Sequence, residues 1–177
     1  MLLSGREIQE EIENGKLVVE PFDDDSIQPA CVDLKLYSKI LIQSSAPISG
    51  MSLDPETLNV EDHLNRYSEE VDLSSVQSYD FSPNGFIIGR TEEVVGLPHD
   101  LAGRVEGRSR LARLGVGVHI TAPKIDPGFN NRITLEMYNF GPWTIKLTAG
   151  MTICTLLVER LSKPAEHGYS GMFQGIK

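Results

Sequence analysis

Hydrophobic positions recur with two different periods along this chain. Leu3, Ile8 and Ile12 fall on one face of a helix, and Ser4 with Glu7 three positions on forms a capping box at its start. The pattern predicts a helix within the first 20 residues, with Asn14-Gly15 as its stop and Pro21 barring continuation. The period then changes to two. Val32, Leu34 and Leu36 alternate with Asp33, Lys35 and Tyr37, which predicts a half-buried strand. Residues 44–84 are rich in Ser, Asp, Glu, Asn and Pro. They read as a surface excursion with a short helix around Glu56 to Tyr67. Beyond them come six predicted strands: Phe86–Gly89, Leu101–Glu106, Gly115–Thr121, Arg132–Tyr138, Thr144–Leu147 and Met151–Glu159. Turn signals separate them, among them Asp126-Pro127-Gly128 and Ala149-Gly150. Many short strands at regular spacing predict a mostly β sandwich or closed barrel. The chain has no internal repeat, and 177 residues suit one domain spanning 1–177.

Composition narrows the partners. Sixteen Lys and Arg against 25 Asp and Glu give a formal charge of −9, so nucleic acid or an anionic membrane would repel the chain as a whole. The longest strongly apolar run, about Ile153 to Val158, is too short for a membrane helix, and no secretory signal is visible at Met1 to Glu7. Cys31 and Cys154 lie far apart and suggest neither a metal knuckle nor a disulfide framework, so a cytoplasmic location is expected. Charge is nonetheless uneven. From Arg104 to Arg132 six basic residues (Arg104, Arg108, Arg110, Arg113, Lys124, Arg132) face two acidic ones, Glu106 and Asp126; the window carries +4 and the rest −13. A local basic patch in an acidic protein fits a compact polyphosphate gripped by a few guanidinium forks, or else salt bridges to acidic neighbours.

Several chemistries lack their motifs. There is no P-loop, no complete dinucleotide fingerprint, no nucleophile elbow, no H-E-x-x-H, and no H-x-E … P-C-x-x-C of zinc-dependent nucleobase deaminases. The four histidines are scattered.

Two segments carry candidate chemistry. Gly107-Arg108-Ser109 offers close backbone approach, a guanidinium and a hydroxyl within three residues, which suits phosphate oxygens as well as a plain capped turn. In Arg132 to Tyr138, Ile133, Leu135 and Met137 share one strand face while Arg132, Thr134, Glu136 and Tyr138 share the other. If that polar face lines a pocket, Glu136 is a carboxylate able to exchange protons; if not, it is a solvated surface.

Three long stretches bring these residues into one pattern: 103–115 (Gly-Arg-Val-Glu-Gly-Arg-Ser-Arg-Leu-Ala-Arg-Leu-Gly), 119–129 (His-Ile-Thr-Ala-Pro-Lys-Ile-Asp-Pro-Gly-Phe) and 133–141 (Ile-Thr-Leu-Glu-Met-Tyr-Asn-Phe-Gly). Together with 27–36 and 97–103, they resemble the dCTP deaminases of the dUTPase-like superfamily. The resemblance implies a jelly-roll-like dUTPase-type barrel, assembled as a homotrimer with active sites shared between subunits. It implies hydrolysis of dCTP to dUTP and ammonia without zinc, with Mg²⁺ accompanying the triphosphate, no metal ligands on the protein, and dTTP as a candidate inhibitor. By position, Glu136 matches the catalytic glutamate, and Ser109 and Arg113 match residues that hold the water and the base. Arg108, Arg110, Leu111 and Ala112 complete the phosphate-gripping segment. Ala122 offers backbone groups to the base, Asp126 lies near the deoxyribose, Phe129 is the aromatic after Asp-Pro-Gly, and Thr134 and Leu135 flank the glutamate. Tyr169 matches a tyrosine of the closing tail. Departures are Arg110 in place of a small hydroxyl residue, and Met172 and Ile176 where the tail commonly carries Lys and Gln; a lid so altered is expected to hold triphosphate less tightly. Lys124 resembles the basic residue of relatives that only deaminate, so dUTP is the expected product. The alternatives are a bifunctional enzyme giving dUMP and a trimeric nucleotide-binding protein without turnover.

Overall fold

The structure, a computed structural model, describes residues 1–43 and 52–171. In chain order the elements are α1 (Gly5–Glu13), β1 (Val18–Glu20), β2 (Ile27–Gln28), β3 (Cys31–Lys35), β4 (Lys39–Gln43), α2 (Val60–Tyr67), β5 (Ser68–Asp72), β6 (Tyr79–Phe81), β7 (Phe86–Gly96), β8 (Leu101–Gly107), α3 (Ser109–Ala112), β9 (Val116–Gly117), β10 (Lys124–Ile125), β11 (Asn130–Asn139), β12 (Ile145–Leu147) and β13 (Thr152–Arg160). The strands form two main antiparallel sheets. One runs β5-β4-β7-β11-β9, with β1 also paired to β7; the other runs β10-β8-β13-β3-β2, and β12 pairs with β6. The mostly β, jelly-roll-like architecture with a short N-terminal helix is therefore as the sequence predicts.

Alternation builds the core. Val32 and Leu34 of β3, Val105 of β8, and Leu156 and Val158 of β13 point inward from one sheet. Ile87 and Val95 of β7 with Ile133, Leu135 and Met137 of β11 meet them from the other. The chain crosses between the sheets at Leu36 and Tyr37, where Leu36 N–H bonds to Met151 O and Tyr37 N–H to Arg90 O. No helix of the described residues is long and apolar enough to cross a membrane.

α1 ends at Glu13 with Asn14 as its C-cap, at the stop expected from Asn14-Gly15, and Gly15 takes the positive φ (68°) that turns the chain away. Three expectations change. Residues 44–84 are more than an excursion. The described part supplies β5 and β6, and Leu73 and Phe81 are fully part of the core. The strand expected over Gly115–Thr121 is only Val116–Gly117. Finally, β7 runs to Gly96, well past the predicted Gly89, because its inward polar residues are satisfied. Thr91 Oγ1 donates to Glu93 O and accepts from Ile133 N–H, and the Glu93 carboxylate accepts the Lys35 N–H across the sandwich at 2.9 Å. Burial pushes the Glu93 carboxyl above its ordinary value against the pull of that hydrogen bond.

Candidate active site

β11 places Glu136 on the face of its sheet opposite the core, as the period of two requires: its neighbours Leu135 and Met137 are buried and Glu136 is half-buried. β10 and the Asp126–Phe129 turn feed directly into β11. At that seam lies a pocket of about 180 Å³ lined by Ala122, Lys124, Asp126, Thr134, Glu136 and Tyr169 among others. Its walls are apolar where Ile125, Phe129 and Ile133 contribute. Among the described residues no hydrogen bond or ion pair engages the Glu136 carboxylate, so it is available to a water molecule or a ligand.

The turn holding this wall is over-determined. Gly128 has φ +82°, and a Cβ there would meet the Gly168 Cα at 2.7 Å. That close approach lets the tail lie on the turn. Tyr169 N–H bonds to Pro127 O at 2.7 Å, and the Tyr169 ring stands edge-on to Phe129 at 5.7 Å between centroids. Upstream, Leu161 N–H and Ala165 N–H bond to Asp100 O and His99 O, so the tail is laced along the loop that precedes β8. Met172 and Ile176 lie outside the described residues.

Of the expected residues, Ala122, Asp126, Thr134, Glu136 and Tyr169, with Phe129, come together here. Leu135 does not: its side chain is fully buried between the sheets, so it can offer only main-chain groups. The segment Arg108, Ser109, Arg110, Leu111, Ala112 and Arg113 does not line the pocket either. Its residues Ser109–Ala112 form α3, with Arg108 and Arg113 at its two caps; the helix packs beside β9 with Leu111 turned into the core and Ser109, Arg110 and Arg113 exposed. Lys124 and Arg132 also reach the pocket wall without having been expected in the site. Arg132 could have been found by its place on the same outward face as Glu136.

The basic window resolves into two kinds of residue. Arg104 pairs with Glu106 and Glu159, Arg108 with Asp33 at 2.5 Å, and Lys124 with Asp126 at 2.8 Å. Arg132 stacks over the Tyr37 ring at 4.1 Å and donates to Thr91 O. Among the described residues, Arg110 and Arg113 have no such partner. They are the arginines left over for an anion. No group of three or more His, Cys, Asp or Glu side chains converges among the described residues.

Comparison with known proteins decides the family. Residues 2–161 match the family model described as "dCTP deaminase-like". The chain belongs to that family. It is with it a hydrolytic enzyme of the deaminase class. Along its whole length the chain is 39% identical to the "dCTP deaminase, dUMP-forming" of Streptomyces coelicolor, covering 89% of that protein. It is 42% identical to the protein of the same name from a Parafrankia species, covering 85% of it. The corresponding Methanobrevibacter smithii protein is 38% identical over 95% of this chain and 84% of its own length. Among solved structures, the 2'-deoxycytidine 5'-triphosphate deaminase of Agrobacterium tumefaciens superposes with a TM-score of 0.68 at 25% identity. The match covers 89% of this chain and 48% of that one.

Proposed function

We propose that this chain, as a single-domain cytoplasmic enzyme, hydrolyses the 4-amino group of dCTP, with Glu136 as general base and acid. The observation that carries this is a partnerless carboxylate in an apolar-walled pocket that also presents Asp126, Phe129 and Tyr169. The pocket walls suit a flat pyrimidine. The Glu136 carboxylate takes a proton from water as the water oxygen bonds to C4. It passes that proton to N3. A second proton, from the hydroxyl on C4, goes to the amine as the C4–N bond breaks and ammonia leaves. Such proton traffic through a positioned carboxylate contributes about 10²–10⁴ in rate.

Ser109 and Arg113 stand outside the pocket, exposed and uncommitted, which supports a site completed by another copy of the chain. A homotrimer with shared sites is the assembly proposed. The exposed apolar side chains of Leu114, Phe140 and Trp143 near α3 support burial against a neighbour. In that assembly Arg108 and Arg110 face the triphosphate, Ser109 and Arg113 the water and the base, and Asp126 the deoxyribose; Mg²⁺ accompanying the phosphates would offset part of their charge.

The product proposed is dUMP with pyrophosphate, from a second hydrolysis at the α–β phosphoanhydride. The support is the shared "dUMP-forming" name of relatives at 38–42% identity. This displaces dUTP, the product expected from Lys124. The competing reading keeps one point in its favour, the likeness of Lys124, which lines the pocket, to the basic residue of relatives that only deaminate. Chromatography of a dCTP digest separates them. Ammonia, dUMP and pyrophosphate in equal amounts support the two-step reaction, and accumulation of dUTP restores deamination alone. Glu136→Gln should lower ammonia release by at least about 10² while dCTP still binds. A fully active variant would remove Glu136 from the mechanism.

A further inference from the structure

We propose that Asp33 is a positioning residue for the anion-binding side of this enzyme, acting through Arg108. The inference rests on the proposed use of Arg108 toward a polyphosphate.

Asp33 is on β3, opposite Thr155 of β13, which is itself opposite Glu106 of β8. Its side chain therefore leaves the sandwich on the outer face of the sheet, yet it is only 13% exposed. What covers it is Arg108, 75 residues further along the chain. Arg108 is the residue at which β8 ends and α3 begins. Its backbone is extended (φ −84°, ψ 137°) and its side chain makes no cap to the helix. Instead the guanidinium folds back over the sheet, and Nη1 donates to Asp33 Oδ2 at 2.5 Å.

Only that nitrogen is engaged. Among the described residues Nε and Nη2 have no partner, and the side chain remains 36% exposed. A guanidinium carries five N–H donors in a rigid plane. Fixing one corner against a rigid strand sets the direction of the remaining donors, next to the exposed Ser109, Arg110 and Arg113. Without the carboxylate, Arg108 would sample many rotamers and would have to be ordered by the ligand itself. Pre-ordering removes that entropic cost from binding. The carboxylate subtracts charge from the patch, so its benefit is orientation rather than field strength. The phosphate chain is the part of the ligand that should register it, and the nucleoside part should not.

The test is calorimetric titration of the full-length protein with two probes, sodium tripolyphosphate in the presence of Mg²⁺ and dCMP, alongside steady-state kinetics on dCTP. Asp33→Asn, which keeps the shape and removes the charge, should weaken tripolyphosphate about tenfold and raise KM for dCTP similarly. Affinity for dCMP and kcat should stay within about twofold. Asp33→Glu keeps the charge but displaces the fork by one methylene, and should weaken tripolyphosphate about threefold. Unchanged tripolyphosphate affinity in Asp33→Asn, or in Asp33→Glu should the first variant fail to fold, overturns the proposal. Equal weakening of both probes also overturns it, since a mere fold staple would act on the whole site. A wild-type protein that binds tripolyphosphate but releases no ammonia from dCTP overturns the proposed activity and leaves the assignment of Asp33 standing.

Discussion

Replacing Asn139 by Asp exchanges one NH₂ for one oxygen at the last position of β11, and the structure says what that costs. The Asn139 side chain is fully buried. Its Nδ2 donates to Phe81 O at 2.9 Å and Trp143 O at 2.8 Å, and its Oδ1 accepts from Gly141 N–H at 3.0 Å. Three segments meet at this amide: the end of β6, the loop after β11, and the β11 terminus. Gly141 in turn sits against the carbonyl of Leu114, just past α3, so tightly that a Cβ at 141 would lie 2.0 Å from that oxygen. An aspartate keeps the bond from Gly141 but turns both donors into an acceptor facing two carbonyl oxygens. Each buried carbonyl left without a donor costs about 1–3 kcal/mol, so the loss is about 4 kcal/mol. In a chain of this size that lowers Tm by about 8–16 °C. The deficit should depend on pH. Burial between carbonyls raises the new carboxyl's pKa, and once protonated its O–H can donate to one of the two carbonyls. Thermal melts of both proteins at pH 8 and pH 5, followed by circular dichroism, should therefore show a gap that shrinks by roughly half at the lower pH. A gap below about 3 °C at pH 8, or one of constant size, would refute the donor count at this site.

Two further substitutions probe backbone and burial. Gly15 and Gly115 both have positive φ (68° and 92°), but a Cβ at Gly15 meets nothing within 4 Å while one at Gly115 lies 2.3 Å from Gly141 N. Gly15→Ala should cost about 1 kcal/mol, from conformation alone, and Gly115→Ala at least about 3 kcal/mol by urea denaturation; equal costs would mean the close approach is not real. Glu93→Gln tests the buried carboxylate at the sheet–sheet contact. Its folded-state pKa is raised, chiefly by burial and further by Glu92, against the opposing pull of Lys35. The fold therefore favours the protonated form. Stability from this group is full below the ordinary carboxyl range and declines as pH rises through the raised value. Glu93→Gln should gain on the wild type between pH 4 and pH 7, and a difference that does not change with pH would exclude the linkage.

What the sequence made legible was what depends on local periodicity. The alternation in Arg132–Tyr138 located β11 and put Glu136 on the correct face, and Ser4 with Glu7 located the start of α1, where both reciprocal bonds of the capping box form. Elements whose pattern is set by distant partners were not legible. β5 reads Ser-Glu-Glu-Val-Asp, an edge strand whose charges blunt it against other chains, with nothing in its own order to mark it as strand. The second half of β7 hides for a different reason. Its inward Thr91 and Glu93 look like loop residues until Ile133 and Lys35, 42 and 58 positions away, are seen to bond them. The pocket shows the same division. The 122–136 side was readable because it is one continuous stretch of chain. That Ser109 and Arg113 stand apart from it is a matter of where α3 packs, and no spacing rule encodes that.

The charge argument gains its physical content only from the structure. A window of +4 does not by itself say whether six basic side chains bind a ligand or one another's neighbours. Four of them are committed: Arg104 to a carboxylate pair, Arg108 and Lys124 to one carboxylate each, Arg132 to an aromatic ring and a carbonyl. The two that are not, Arg110 and Arg113, are exposed on the single turn of α3 and at its C-cap. A long polyanion laid across the molecule would meet those two and then a surface that is negative on balance, so repulsion grows with the length of the ligand. A short one confined to α3 meets the guanidinium groups alone. Attraction limited to one helical turn thus selects for a compact anion before any specific hydrogen bond is made.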